Sequence, residues 1–299
     1  LGGAIDAQPA GPITPVLVAP RARLERVAAE AGLDISACDV LDVPHSHAAA
    51  AAAAQLAGKG DVQALMKGSL HTDEYLGAVL APEVGLRTER RLSHCYVMQT
   101  ASYPRPFIIT DAAINIAPTL LDKADIVRNA IDLAHVLGVD QPRVAILAAV
   151  ETVNPHMPAT LDAAALCKMA DRGQISGALL DGPLAFDNAV SPEAARVKRI
   201  TSQVAGQADI LVVPDLESGN MLAKQLEYLG DAAGERGHRD GRARATGAHQ
   251  PLRLARHAPG FVRHRAHAGR ALAPRSPMNP LFTTEEPPCT TASRAMSYS

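Results

Sequence analysis

A group of side chains that could bind a ligand follows a short apolar run near the middle of the chain. The run, residues 178–180, is followed by Asp181, Asp187 and Asn188, with glycine and proline between them. Because glycine and proline interrupt regular structure and an interior strand rarely carries Asp, the run predicts a buried strand that ends before Asp181. In open α/β sheets, ligands bind in the crevice at the carboxyl ends of strands. The three polar residues are therefore a candidate site, and an ordinary polar loop is the alternative.

The same arrangement recurs along the chain. Apolar runs of about five residues alternate with longer helical patterns, which indicates an α/β fold with a mostly parallel sheet and helices on both faces. Strands are predicted to end near residues 66, 109, 147, 180 and 213, and each is followed by Lys, Asp, Glu, Asn, Ser or Thr. Helices are predicted over residues 21–32, 48–54, 123–137, 161–171, 193–202 and 221–229, and from about residue 74. If the strands are parallel, their polar loops lie along one edge of the sheet and form a cleft.

The composition of the whole chain narrows its class. Its 29 Lys and Arg nearly balance 31 Asp and Glu, so the total charge predicts no strong attraction to nucleic acid or to a membrane. No apolar run approaches the ~20 residues of a membrane-spanning helix. The cysteines, Cys38, Cys95, Cys167 and Cys289, lack CxxC spacing, which suits a reducing cytoplasm and argues against a zinc site. The first residues do not have a signal-peptide pattern. Because a complete chain normally begins with Met and this one begins with Leu1, we expect that an N-terminal part is missing.

Six ordered segments between about residues 13 and 229 resemble the phosphate acetyl/butyryltransferase family. They are residues 65–73, 91–94, 109–115, 163–174, 180–188 and 213–224. The resemblance implies reversible transfer of an acyl group between acyl-CoA and inorganic phosphate, with CoA as a substrate and no resident cofactor or metal. It also implies a two-subdomain fold like that of isocitrate and isopropylmalate dehydrogenases, with a cleft between the subdomains and a homodimer in intact relatives. Some relatives join this region to an enoyl-CoA hydratase module, which would fit a lost upstream part.

The resemblance also implies roles for particular residues. Arg91 and Asp187 are the predicted catalytic residues. Phosphate, CoA and the acyl group are predicted to contact Lys67, Gly68, Ser69, Thr72, Ser93, Asp181, Asn188, Glu217, Gly219 and Asn220. The residue types fit this chemistry, because phosphate requires cations and N–H donors and a CoA thiol, whose pKa is near ~8.5, requires a nearby base or cation. Each assignment has a structural alternative: Lys67 would be a solvated loop lysine, Asp181 and Asp187 would brace their loops, and residues 218–220 would cap a helix. The roles of Asn115 and Asn154 stay undecided. Met66, Met169 and Met221 are predicted to lie in the core.

The character of the sequence changes at Gly230. Residues 230–299 contain no Ile and no Lys, many Arg and His, and no sustained apolar period. A disordered basic tail that binds nucleic acid is one interpretation. We favour a shifted reading frame, because GC-rich codons read one nucleotide later can encode IVMGARV for residues 238–244, LTSRSDS for 248–254 and VSCAIA near 261–264. The second of these contains the Ser-Arg segment that the resemblance implies for CoA binding.

The predicted organisation is therefore an acyltransferase domain over residues 1–229 and a frameshifted, disordered basic tail over 230–299. The predicted activity is phosphate acetyltransferase, and loss of the Ser-Arg segment leaves both an active and an inactive chain open. Phosphate butyryltransferase is the nearest alternative, since one or two methylenes change binding by only about 1–3 kcal/mol. A dehydrogenase of similar fold is less favoured because no GxGxxG follows a strand. A non-catalytic remnant with a nucleic-acid-binding tail is the alternative of another class.

Overall fold

A computed structural model describes residues 1–7, 14–100 and 102–229 of the protein. The strands are β1 (Val16–Ala19), β2 (Asp39–Asp42), β3 (Cys95–Met98), β4 (Phe107–Thr110), β5 (Arg143–Leu147), β6 (Leu179–Leu184) and β7 (Ile210–Val212). The helices are α1 (Gly2–Ala7), α2 (Arg21–Ala31), α3 (Ser46–Lys59), α4 (Thr72–Val79), α5 (Leu120–Val136), α6 (Pro158–Asp171), α7 (Phe186–Val190), α8 (Pro192–Val197) and α9 (Leu216–Leu229). A 3-10 turn spans Pro82–Val84. Within these residues no helix has both the length and the apolar character that crossing a membrane requires.

The larger sheet has five strands in the order β3-β4-β7-β5-β6. Strand β3 is antiparallel to β4, and the other neighbouring pairs are parallel. The central strands are apolar on both faces because helices cover both. Ile108, Ile146 and Ile210 pack toward α5 and α6, whereas Ile109 and Leu211 pack with residues of α7 and α9. This confirms the predicted α/β fold with a mostly parallel sheet and helices on both faces.

A smaller parallel sheet pairs β1 with β2. Helices α3 and α4 pack together beside it around a small core of Ala54, Ala57, Val79 and Leu86. Helix α3 (Ser46–Lys59) extends beyond the predicted 48–54 at both ends. A Cβ on Gly58 would lie 2.3 Å from the carbonyl oxygen of Val84, so this glycine permits a close backbone approach.

Three further predictions for individual elements differ from the structure. Residues 62–66 form no strand, because Val62 and Leu65 pack against the core beside α3 and α4 instead of joining a sheet. Strand β6 continues through Asp181 to Leu184, since it lies at the edge of its sheet, where proline and polar residues are tolerated. Helix α9 begins at Leu216, so the polar residues predicted to form a loop before it belong to its first turns.

The helix predicted over 193–202 is shorter, and the two outer methionines are not core residues. Helix α8 ends at Val197. Met66 is 75% exposed and Met221 is 60% exposed, whereas Met169 packs against the core as predicted. The predicted tail, residues 230–299, lies outside the described residues, so its frameshift and the domain boundary at 229/230 stay predictions.

Candidate active site

A cavity of about 440 Å³ lies between the end of α4, the segment that precedes β3, the loop after β4, and α5. Its polar lining includes Arg87, Arg90, Arg91, Asn115 and Asn129. Its apolar lining includes Leu76, Leu80, Leu86 and Ile114. We call this space the arginine cavity. It combines cationic groups, which suit an anion, with an apolar wall, which suits a short acyl chain.

The loop after β4 is held by a buried carboxylate. Asp111 is only 3% exposed and accepts backbone N–H groups from Ala113 at 3.0 Å, Ile114 at 3.1 Å and Asn115 at 3.2 Å. The Asn115 side-chain amide donates to Asp111 at 2.5 Å and to the carbonyl of Leu92 at 2.9 Å. These bonds satisfy the buried carboxylate and fix the loop, because each unmade bond would leave a buried polar group without a partner.

Arg91 is attached to this loop. Its Nε–H donates to Oδ1 of Asn115 at 2.5 Å, and its Nη1 lies 3.3 Å from a carboxylate oxygen of Asp122. The backbone of Arg91 is also held, because its N–H donates to Asp125 and its carbonyl accepts from Asn129. The side chain is 53% exposed. The outer N–H groups of the guanidinium can therefore reach an anion in the bidentate manner typical of arginine.

The start of α5 supplies the acidic partners of this region. Thr119 and Asp122 form a reciprocal capping box at the helix N-terminus. The backbone N–H and the hydroxyl of Thr119, and then the nearby Arg91, lower the pKa of Asp122 below its ordinary value. Arg90 pairs with Asp132 of the same helix at 2.6 Å. Within the part of the chain that the structure describes, Arg87 forms no ion pair.

Ser93 and His94 directly follow the cavity-lining residues Arg91 and Leu92 and are buried. Ser93 is fully buried, and its hydroxyl accepts a hydrogen bond from Asn129 at 2.9 Å. His94 is 6% exposed and packs edge-on against Tyr96. Burial lowers the pKa of His94 below its ordinary value, and the nearby charge of Asp111 opposes this effect. Because Ser93 binds Asn129, which lines the cavity, Ser93 supports the wall of the site from within the fold.

The first turns of α9 pack against the loop after β4. Asn220 donates to the carbonyl of Ala112 at 3.2 Å. A Cβ on Gly219 would lie 2.5 Å from a methyl carbon of Val213 and 3.1 Å from Ala112, so only glycine allows this approach. Glu217 is exposed. Of the predicted residues in this segment, Gly219 and Asn220 position the loop that carries Asn115.

The predicted residues before α4 lie on an exposed segment. Lys67, Gly68, Ser69 and Thr72 are all exposed, and the Lys67 ammonium donates to the carbonyl of Leu70 at 3.0 Å. Thr72 is the first residue of α4, whose later turns contribute apolar side chains to the arginine cavity. These residues are thus connected to the cavity through one helix.

Asp181, Asp187 and Asn188 are not among the residues that line the arginine cavity: Asp181 lies within β6, and Asp187 and Asn188 lie in α7, which follows it. Asp181 accepts the N–H of Gly182, Asp187 is exposed, and Asn188 is fully buried. Neither polar atom of the Asn188 side chain has a hydrogen-bond partner among the described residues. Strands β7 and β5 separate β6 from β4, and no hydrogen bond or ion pair between described side chains joins this group to Arg91. The structure therefore places the predicted polar residues in more than one group along the sheet edge.

Sequence reasoning left the best-connected residues of the site unassigned. Asn115 was undecided, and Asp111, Asn129 and Arg87 were not proposed as site residues. The signal that could have identified the first two is the Asp-Ala-Ala-Ile-Asn run directly after an apolar strand. Asn154, also undecided, has a local role, because its backbone N–H donates to Thr160 and its side chain accepts the N–H of His156.

The family profile described as phosphate acetyl/butaryl transferase matches residues 44–235. The chain belongs to this family. It is 62% identical over 231 residues to a phosphate acetyltransferase of Rickettsia felis, covering 77% of this chain and 66% of that protein. It is 60% identical over 236 residues to a phosphate acetyltransferase of Rhizobium meliloti, covering 78% and 75%. A phosphate butyryltransferase of Clostridium acetobutylicum is 43% identical over 227 residues, covering 76% and 75%.

A solved structure agrees with the family assignment. The branched-chain phosphotransacylase of Enterococcus faecalis superposes with a TM-score of 0.63 at 31% identity, covering 73% of this chain and 85% of that one. The match confirms the α/β fold and the transferase family that the six sequence segments predicted. The chain spans just under two thirds of the length of the Rickettsia felis relative.

Proposed function

We propose that this phosphate acetyl/butyryl transferase family member is a phosphate acetyltransferase, which converts acetyl-CoA and inorganic phosphate into acetyl phosphate and CoA. The observation that carries the proposal is the identity of 60–62% with two phosphate acetyltransferases, against 42–51% with three relatives described as phosphate butyryltransferases or a probable one. CoA takes part as a substrate, and we propose no resident cofactor or metal.

The arginine cavity supports this chemistry. Phosphate binding requires a cation with several N–H donors, and Arg91 presents such a group above a fixed loop. A phosphate oxygen attacks the thioester carbonyl carbon, and the tetrahedral intermediate collapses as the carbon–sulfur bond breaks. CoA leaves as a thiolate and then takes a proton. Negative charge develops on the carbonyl oxygen during the attack, and a positioned arginine stabilises charge of this kind.

The test is formation of acetyl phosphate by the purified full chain. With acetyl-CoA and phosphate we expect equal amounts of free thiol and of acetyl phosphate, trapped as its hydroxamate. Omission of phosphate is the matched control, because a thioesterase would release thiol without it. Thiol release that is independent of phosphate would contradict the proposal.

The sequence as written lacks the Ser-Arg segment that the resemblance implies near residues 248–254, and we propose that full turnover depends on that segment. Resequencing the DNA for residues 225–275 decides whether a base is missing or extra. A frame-restored chain is expected to form acetyl phosphate faster than the unaltered chain. Equal rates would show that this segment is dispensable. If neither chain forms acetyl phosphate, the proposed activity is wrong.

Asp187 is the second proposed catalytic residue. Its exposed position at the start of α7 leaves it free to meet a substrate. We expect Asp187→Ala to lower the rate of acetyl phosphate formation while the affinity for phosphate stays unchanged, since a carboxylate does not attract that anion. Glu193→Ala, which removes an exposed acid of α8, is the matched control. An unchanged rate in Asp187→Ala would exclude a catalytic role.

Phosphate butyryltransferase is the second candidate, favoured by the apolar wall of the cavity. Leu76, Leu80, Leu86 and Ile114 offer contact to a chain longer than acetyl. Each added methylene changes transition-state binding by roughly 1 kcal/mol. We expect a larger kcat/KM for acetyl-CoA than for butyryl-CoA, and the reverse order would establish the second candidate.

Two further features belong to the proposal. We propose a homodimer, which light scattering on the purified chain would measure, and a cytoplasmic location, which fractionation of cells would measure. A non-catalytic protein with a nucleic-acid-binding tail predicts affinity for DNA that falls steeply with salt. The proposed enzyme predicts no such binding, so one salt titration distinguishes the two.

A further inference from the structure

Arg90 and Arg91 of the cavity are held in different ways. Arg90 pairs with Asp132 across a surface where the two side chains are 44% and 56% exposed. Arg91 is held through its Nε–H by Asn115, which is only 3% exposed. An exposed ion pair fixes an arginine weakly, whereas a hydrogen bond to a buried and immobile group fixes it firmly. Asn115 therefore determines the orientation of Arg91 more strictly than the acidic partners do.

The orientation of the Asn115 amide follows from its partners. Its Nδ2 donates to the carboxylate of Asp111 and to the carbonyl of Leu92, which accept and cannot donate. The other end of the amide must therefore be the oxygen, and this oxygen faces the Nε–H of Arg91. Three backbone N–H groups hold Asp111 in turn. The chain of contacts runs from the buried loop to the guanidinium without a freely rotating group.

The side chain of Asn115 is uncharged, and this matters for anion binding. A carboxylate in its place would accept the same Nε–H but would cancel the positive charge of Arg91. The amide fixes the guanidinium without adding a second negative charge to that of Asp122. The nearest carboxylate, Asp122, lies 3.3 Å from Nη1 and also serves the cap of α5.

We propose that Asn115, held by Asp111, is a positioning residue that orients Arg91 for anion binding in the arginine cavity. The identification of that anion as phosphate rests on the proposed function. Asn115 acts through Arg91 and not by contact with the substrate. Its removal is therefore expected to matter only while Arg91 is present.

The experiment is a double-mutant cycle on the full chain, with inorganic phosphate as the probe and calorimetry as the measurement. We expect Asn115→Ala to weaken phosphate binding about ten-fold or more, as loss of a charged hydrogen bond does. In an Arg91→Ala background the same change is expected to alter affinity less than about two-fold. An equal factor in both backgrounds would overturn the proposal.

Asn129→Ala is the matched control. Asn129 is a second buried amide of the cavity, but it donates to the backbone carbonyl of Arg91 and to Ser93, not to the Arg91 side chain. Its substitution is expected to cost similar stability and to act by the same factor with and without the Arg91 side chain. Coupling as large as that of Asn115 would assign the effect to general loosening of the cavity and would overturn the proposal.

A second measurement does not depend on binding. Hydrogen exchange of arginine Nε–H groups is followed by NMR after ¹⁵N-arginine labelling, and Arg91→Lys identifies the Arg91 signal. We expect protection of this Nε–H to be lost in Asn115→Ala and kept in Asn129→Ala. If the unaltered chain binds no phosphate and transfers no acyl group, the proposed function fails, and this measurement still decides the positioning role. Protection that persists in Asn115→Ala would overturn it.

Discussion

The two ends of the five-stranded sheet each bury an aspartate, and they hold it in different ways. At the amino end of β7, Asp209 is 6% exposed and lies 2.9 Å from Nε of Arg105 and 3.8 Å from Arg143. At the carboxyl end of β4, Asp111 is held by backbone N–H groups and by the amide of Asn115. At the first end, arginines contact the carboxylate of Asp209 directly. At the second end, the side chain of Asn115 lies between Arg91 and the carboxylate of Asp111.

This difference separates a structural role from a functional one. The arginines beside Asp209 are also engaged in the fold, because Arg105 donates to the carbonyl of Gln207 and lies over the ring of Tyr103. Arg91 is about half exposed and borders a cavity. A charge that is paired with a buried carboxylate stabilises the fold. Arg91 pairs with the partly exposed Asp122, and the outer donors of its half-exposed guanidinium can still bind a substrate.

Loss of the carboxylate at the amino end is expected to have the largest effect on stability. Asp209→Ala leaves two arginines and the backbone N–H of Arg143 without their partner. We expect the free energy of unfolding to fall by about 2–3 kcal/mol, below the range for wholly buried pairs because both guanidinium groups are about one-third exposed. Urea denaturation measures the change, and the affinity for phosphate should stay constant at a temperature where the variant is folded. A loss of affinity without a loss of stability would reverse the roles assigned to the two ends.

Loss of the arginine at the carboxyl end is expected to have the opposite pattern. Arg91→Ala should weaken phosphate binding about ten- to a hundred-fold, because it removes a charged, oriented donor. The free energy of unfolding should change little, since the side chain is half exposed. Arg90→Ala is the control, because Arg90 borders the same cavity and also pairs with a carboxylate, that of Asp132, but no described hydrogen bond joins it to Asn115. Equal losses in both variants would mean that the cavity attracts anions by total charge and not through an oriented group.

Sequence patterns predicted the central strands of the sheet better than they predicted the site. The apolar runs of β4, β5 and β7 are central strands, and their composition alone indicates that they are buried. The position of β6 at the edge is decided by tertiary packing, so a proline within it misled the prediction. The sequence also predicted that Asp187 and Arg91 line one cleft, and this stays a prediction, because β7 and β5 lie between β6, which precedes Asp187, and β4, whose following loop holds Arg91.

The site residues show the same limit. Arg91 was predicted from the family resemblance of residues 91–94 and from the suitability of arginine for phosphate, and neither argument requires a known contact. The part of Asn115 depends on which of its atoms faces which neighbour, and spacing along a chain does not encode this. The roles of Asp111 and Asn129 likewise follow from contacts across loops and helices. Residue types predicted the cation, and only the fold revealed what holds it.

The carboxyl end also carries a titratable group whose effect on stability depends on pH. Burial lowers the pKa of His94 below the 6.5 of an exposed histidine, so the folded state binds its proton less readily than the unfolded state does. Stability from this residue is complete above pH 6.5 and decreases as pH falls from that value through the pKa of the folded state. We expect His94→Gln to flatten this acid-side loss in urea denaturation between about pH 7 and pH 5. An unchanged slope would mean that His94 is protonated without cost at this end of the sheet.

The smallest expected effect concerns the cap that holds the acidic partner of Arg91. Thr119→Ala removes the hydroxyl that accepts the backbone N–H of Asp122 and donates to its carboxylate. We expect the free energy of unfolding to fall by about 1 kcal/mol, the usual cost of losing an N-cap. Phosphate affinity should change less than about two-fold, because Asn115 and not Asp122 sets the orientation of Arg91. Ser191→Ala is the control for stability, because it removes the N-cap of another helix, α8. If Thr119→Ala weakened phosphate binding as much as Asn115→Ala, the ion pair with Asp122 would be the contact that orients the Arg91 guanidinium. The difference between the two ends of the sheet would then not depend on the neutral amide of Asn115.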